Sequence, residues 1–209
     1  MPKPPPIAFD LPLRDGSVVR VRPILPSDGP RLREGFERLS TESRYRRFMT
    51  AIDELSDQQV RYLTEVDYED HMAWVAVDPS SPDAPGVGVA RYVRTPDDPT
   101  VAEAAVTVVD AWQGKGLGSI LLAVLGLHAV RNGIATFRAY VLEENAPMIG
   151  ILHELGATAS HEGGFLRVDV PLPKDVEDLP DTPAGAVFRA VAQHLLPPFD
   201  TTFPVNGQD

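Results

Sequence analysis

One stretch constrains the fold more than any other: AVTVVDAWQGKGLGSILLAVLGLHAVRNG, Ala105 to Gly133. An apolar, β-branched run passes through a glycine-rich turn into a helical pattern that stops at Asn132, with Gly133 free to take the left-handed position after the helix. Thr136–Leu142, TFRAYVL, reads as the next strand. Strand, helix and strand at this spacing predict a right-handed βαβ crossover. Its turn sets a row of free N–H groups and the positive end of a helix dipole at one point, which suits a phosphate.

Two nucleotide loops fail on spacing. A dinucleotide loop needs G-x-G-x-x-G, whereas Gly114, Gly116 and Gly118 give G-x-G-x-G, with Ser119 following. A P-loop needs G-x-x-x-x-G-K followed by Ser or Thr. Here Gly116 follows Lys115, and no upstream glycine has the spacing.

The rest of the chain alternates in the same way. SVVRVRPI predicts a half-buried strand over Val18–Ile24. Ser27 or Asp28 can cap a helix carrying Leu32, Phe36 and Leu39, a charge-rich helical piece follows over Thr41–Met49, and Ser56 can cap a third. Strands are expected at His71–Asp78, Gly86–Val93 and VAEAAVTVVD. A short helix runs from near Asn145 to Gly156, and a final hairpin turns near Gly163–Gly164. Residues 1–16 read as a proline-rich arm, 17–172 as one α/β domain, and 173–209 as an acidic linker, one amphipathic helix over Pro183–Leu196 and a tail. That helix, with Ala186, Val187, Ala190, Val191 and Leu195 on its apolar face, either packs on its own domain or covers a neighbouring subunit in a homodimer.

Composition excludes several classes. The 209 residues contain no cysteine, so disulfides, thiolate metal sites and a cysteine nucleophile are absent. His71, His128, His153, His161 and His194 lack metal-ligand spacing, and no serine nucleophile elbow occurs, so no metal is expected. A net charge of -11 opposes nucleic acid and favours cationic partners such as amines or lysine-rich surfaces. MPKPPPIAFD is no signal peptide, no apolar run approaches the roughly 18 residues of a membrane span, and the chain reads as soluble and cytoplasmic.

QGKGLG, Gln113–Gly118, has the Q/R-x-x-G-x-G/A form and resembles the acetyl-CoA-binding loop of the GNAT N-acetyltransferases. The resemblance extends over roughly Val18–Val170 and includes VLEENAPMIGILHELGA; RPILPSDGPRLREGFERLSTESRYRRF is most similar to the bacterial protein-lysine acetyltransferase branch. It implies a single GNAT-type α/β domain with a mixed central sheet, in which the βαβ crossover binds the cofactor. It also implies that Gln113, Gly114, Lys115, Gly116, Leu117, Gly118 and Ser119 hold the pyrophosphate, with Lys115 as a fixed cation. Backbone groups of Val106 and Val108 would hold pantetheine and polarise the thioester, and Asn145 would lie near pantetheine or adenosine while also capping its helix. Arg44, Arg46 and Arg47 read first as a solvated helix face, with contact to cofactor or substrate as the alternative.

Acetyl transfer to an amine needs a base, since a lysine of pKa near 10.4 is neutral in only about one molecule in 2,500 at pH 7. Glu103, the one charge in VAEAAVTVV, sits where the resembling lysine acetyltransferases place their general base, with Asp70 and His71 in reserve. Leu152 stands where many family members carry the tyrosine that protonates the departing thiolate; Tyr140 is a distant alternative, and no acid is assigned. The expected activity is direct acetyl transfer from acetyl-CoA to a primary amine, foremost a protein lysine, in a ternary complex. A small-amine acetyltransferase and a non-catalytic acyl-CoA sensor are the alternatives.

Overall fold

The computed structural model describes residues 7–195. Residues 1–6 of the proline-rich arm, Leu196 at the expected helix end, and the tail after it lie outside the described residues. Among these residues one sheet holds eight strands in the order β1-β2-β3-β4-β5-β6-β8-β7. The strands are β1 (Phe9–Pro12), β2 (Val18–Pro23), β3 (His71–Val77), β4 (Gly86–Arg94), β5 (Val101–Val108), β6 (Thr136–Val141), β7 (Thr158–Glu162) and β8 (Phe165–Pro171). The helices are α1 (Gly29–Glu37), α2 (Thr41–Phe48), α3 (Asp57–Thr64), α4 (Leu117–Arg131), α5 (Ala146–Glu154) and α6 (Pro183–Leu195). All pairings are antiparallel except β5 with β6, the two strands joined by α4.

The fold is therefore the mixed α/β sheet with a βαβ crossover that the sequence predicts, plus a C-terminal helix. One strand was not foreseen: β1 lies within the proline-rich arm and pairs with β2, burying Leu11. Local signals explain most element boundaries. Ser56 and Gln59 form a reciprocal capping box on α3, and Gly163 and Gly164, at φ 58° and 90°, make the tight turn between β7 and β8.

α4 is buried nearly all round rather than along one stripe. Leu117, Leu121, Leu122, Val124, Leu125 and Ala129 are all buried. The sheet takes one side: a Cβ at Gly88 would stand 2.9 Å from Leu121 Cδ1, so glycine lets α4 settle closely on β4. α6 takes the other, burying Ala184, Phe188, Val191 and Ala192, with Phe188 Cε1 3.3 Å from where a Gly126 Cβ would be. The face of α6 that packs on its own chain is therefore turned from the expected one: Val191 is buried as expected, whereas Ala186 and Ala190 are exposed and Ala184, Phe188 and Ala192 take their place. Helices α1–α3 cover the opposite face of the sheet, where a second core gathers Phe36, Leu39, Leu55, Val60 and Leu63.

Candidate active site

β5 pairs with β6 only from Val101 to Glu103, opposite Thr136–Arg138, while its pairing with β4 continues to Val108. Val109 N–H donates to the Val87 carbonyl at 3.0 Å. Alternation along the strand then turns the N–H and C=O groups of Ala104, Val106 and Val108 the other way, toward β6, after pairing with β6 has ended. The splayed strands leave a cleft of about 610 Å³, lined by Val106, Val108, the α4 N-terminus, Asn145 and Phe188 among others. Gln113 closes one corner, donating from Nε2 to the Val108 carbonyl at 3.0 Å.

Of the expected cofactor residues, Val106, Val108, Gln113, Gly114, Gly116, Leu117, Gly118, Ser119 and Asn145 line this cleft. Gly114 and Gly116 have φ 73° and 90°, values that favour glycine, and Gly116 opens α4. Lys115 is not brought to the cleft. Its ammonium lies 3.0 Å from Asp15 and 4.7 Å above the Trp112 ring. The turn between β1 and β2 that carries Asp15 also delivers Arg14, whose backbone N–H donates to the Lys115 carbonyl at 3.1 Å. The Arg14 side chain lines the cleft, with Nε 3.3 Å from where a Gly116 Cβ would stand, and makes no hydrogen bond or ion pair among the described residues.

The basic run of α2 is not a solvated face. Arg44 donates to the carbonyls of Leu39, Asp53 and Glu37 at 3.1 Å each and stacks over Phe36 at 4.6 Å. Arg46 and Arg47 line the cleft. Asp110 fixes this arrangement by accepting from the Ser40 N–H, the Ser40 hydroxyl and the Ser43 hydroxyl at 2.9, 2.9 and 2.8 Å. Burial pushes the Asp110 carboxyl up, but those hydrogen bonds prevail and hold it below the usual carboxylate range. The N-terminus of α2 is thereby tied to the segment that leads into the glycine turn.

Glu103 lies outside the cleft lining. A Cβ at Gly118 of α4 would be 3.9 Å from Val108 Cγ2, so even-numbered positions of β5 face α4. Glu103, Ala105 and Thr107 face the α1–α3 side, and Glu103 is exposed there. Its charge acts on Arg47: burial lowers the Arg47 pKa, and Glu103 opposes that shift. The reserve bases are less suited. Asp70 accepts from Arg94 at 2.6 Å. His71 has Nε2 3.0 Å from Arg91, and burial, reinforced by the Arg91 charge, brings its pKa down to about 4.

This shift has a stability consequence. The fold keeps the His71 ring neutral, whereas the unfolded chain gains a proton below about pH 6.5. Stability present above pH 6.5 is therefore lost progressively as pH falls toward 4. His71→Gln retains an acceptor for Arg91 and removes the titration. Calorimetric melting between pH 7 and pH 4 is expected to show a shallower acid decline in that variant; an unchanged slope would dismiss His71 as its source.

Asn145 plays the cap and borders the cleft, its Oδ1 accepting from Met148 N–H at 3.4 Å. Leu152 and Tyr140, the distant alternative as acid, also line the cleft. Among the described residues no group of His, Asp or Glu side chains is placed to hold a metal ion, and no helix is long and apolar enough to cross a membrane.

Comparison with known proteins agrees with this geometry. A family profile described as "Acetyltransferase (GNAT) domain" matches residues 19–158. The chain is 37% identical over 191 residues to Acetyltransferase Pat of Mycolicibacterium smegmatis, covering 87% of this chain and 56% of that protein. It thus spans little more than half the length of that relative. The GNAT domain of S. lividans PAT superposes with a TM-score of 0.72 at 33% identity, covering 79% of this chain and 97% of that one. A Salmonella typhimurium structure, yncA with its cofactor acetyl-CoA, shares the fold at a TM-score of 0.57 and 22% identity, covering 78% of this chain and 98% of that one.

Proposed function

The chain belongs to the GNAT acetyltransferase family, and from that premise we propose that it moves an acetyl group from acetyl-CoA to a lysine side-chain amine of a protein in the cytoplasm. The observation that carries this reading is the separation of β5 from β6 after Glu103, directly beside the glycine turn at the head of α4. A linear thioester cofactor fits there: the Ala104, Val106 and Val108 amides suit pantetheine, and the α4 N-terminus suits a pyrophosphate. Bound there, acetyl-CoA supplies the thioester whose C–S bond breaks as the amine nitrogen bonds to the acetyl carbon.

The protein's own groups do the rest. Val106 and Val108 amides orient and polarise the carbonyl. Glu103, on the opposite side of the sheet, takes the proton from the incoming ammonium, directly or through water. Arg14 neutralises phosphate charge, while Lys115 latches the β1–β2 turn. Arg14→Gln is accordingly expected to weaken acetyl-CoA binding about tenfold, one charge-assisted contact, and Lys115→Gln to weaken it much less. Isothermal calorimetry checks the pair, and the reverse order would return Lys115 to the phosphates.

The protein acceptor is supported by the likeness to Pat and to the PAT domain. Its test is acetyl-lysine mass spectrometry on a deacetylated cytosolic lysate incubated with the protein, with and without acetyl-CoA. New acetyl-lysines that need both are expected; none would transfer the search to small amines.

A further inference from the structure

A second chamber, about 80 Å³, lies between the sheet and α1–α3, walled mainly by apolar side chains such as Ile24, Leu32, Phe36, Val75 and Val89. It is large enough to hold a few waters or a small polar group. Its polar groups are unbalanced. Arg91 is buried, at 6% exposure, and donates to the Leu63 carbonyl at 3.0 Å while lying 3.0 Å from His71 Nε2, with no carboxylate against it. Arg47 stands over the Phe48 ring at 5.0 Å and makes no hydrogen bond or ion pair among the described residues; the exposed Glu103 carboxylate acts on it only through its charge, without contact. Thr107 Oγ1 and Arg31 Nε are buried without a partner. The chamber's carboxylate, Asp28, is already used: both oxygens accept from Arg22 at 2.7 Å, and one also accepts from Leu25 N–H at 2.8 Å.

Buried donors left without acceptors are destabilising, and an unpaired buried charge is more so. The group that would satisfy this set is compact, anionic and rich in acceptors, which describes a carboxylate. The chamber and the large cleft adjoin at Arg47 and Thr107, which line both. Thr107 lies on β5 between Val106 and Val108, so the chamber opens beside the backbone assigned to the thioester.

We propose that the protein accepts acyl groups ending in a carboxylate, the chain passing from the cleft into this chamber so that Arg47 and the Thr107 hydroxyl meet the carboxylate, with Arg91 behind them. The proposal rests on the reading of the cleft as a CoA-thioester site. The transfer step is unchanged: the amine, its proton taken by Glu103, bonds through nitrogen to the acyl carbon, the C–S bond breaks with its electron pair leaving on sulfur as CoA thiolate, and the distal carboxylate does not react.

Calorimetric titration of acetyl-, butyryl- and succinyl-CoA into the full chain tests it, since butyryl matches succinyl in carbon count and lacks the charge. Wild type is expected to bind succinyl-CoA about tenfold more tightly than butyryl-CoA, one charge-assisted contact. Arg47→Gln removes that preference, and the near-isosteric Thr107→Val reduces it, a second route should the first variant fail to fold. Equal binding of the two thioesters by wild type, or equal weakening of all three by Arg47→Gln, would overturn the proposal. Binding of free succinate to protein saturated with acetyl-CoA, without discrimination among thioesters, would assign the carboxylate to the acceptor and overturn it too. Failure of every thioester to bind would instead refute the cofactor reading on which it stands.

Discussion

Glu103→Gln is expected to lower turnover by about 10²- to 10⁴-fold, the usual contribution of a positioned general base, and to leave acetyl-CoA affinity unchanged. The two halves have separate physical origins. A lysine amine at pH 7 lies about 4.6 kcal/mol from its neutral form, and glutamine cannot accept the proton that must leave. Affinity is spared because Glu103 does not line the cleft; it faces the α1–α3 side of the sheet. Raising the pH supplies neutral amine from solvent, so the deficit of the variant should shrink as pH rises. Steady-state rates across pH 7 to 10, with calorimetric affinity for acetyl-CoA, check both halves. A variant that loses affinity but keeps its turnover would remove Glu103 from the role of base.

Phe188→Ala carries the largest expected loss of stability. Removing a buried phenylalanine from a close-packed site costs about 3–5 kcal/mol, which in a chain of this size is roughly a 10 °C fall in melting temperature. Phe188 is 6% exposed and fits the gap made by Gly126 on α4. It also forms part of the cleft wall, with Ala184 and Pro183. The lost packing should therefore weaken acetyl-CoA binding as well as the fold. Thermal melts with and without acetyl-CoA separate the effects: a lowered melting point with undiminished ligand-induced stabilisation would show that α6 supports the sheet without shaping the cleft.

The glycine turn between strand and helix is legible in the sequence because that information is local. Glycines at Gly114 and Gly116, a β-branched strand before them and a helix after them are written within a few residues of one another. Glu103 stood out for the same reason, a single charge in an apolar strand. What escaped notice is non-local. Arg14 sits in a turn whose Asp15-Gly16 pair is ordinary turn chemistry, and nothing in the chain's order says that the turn rests on Lys115, about a hundred residues away. Lys115 was read as a phosphate ligand on charge and position, before Asp15 and Trp112 were known to hold it. The arginines of α2 likewise look solvated in a helical projection; only Asp110, binding Ser40 and Ser43, sets that helix against the cleft. The covered outer face of α4 depended on α6, whose partner an amphipathic pattern cannot name.

The sheet holds its two sides together with three residue pairs between β5 and β6. Backbone groups that a neighbouring strand would occupy are kept for a diffusible molecule instead. A molecule that fills this seam joins the halves in the manner of a missing strand, so its concentration enters the folding equilibrium directly, through RT ln(1 + [L]/Kd). At a hundredfold excess over Kd that linkage supplies about 2.7 kcal/mol. On the proposed function that molecule is acyl-CoA, and the folded fraction of the protein would then rise and fall with acyl-CoA supply.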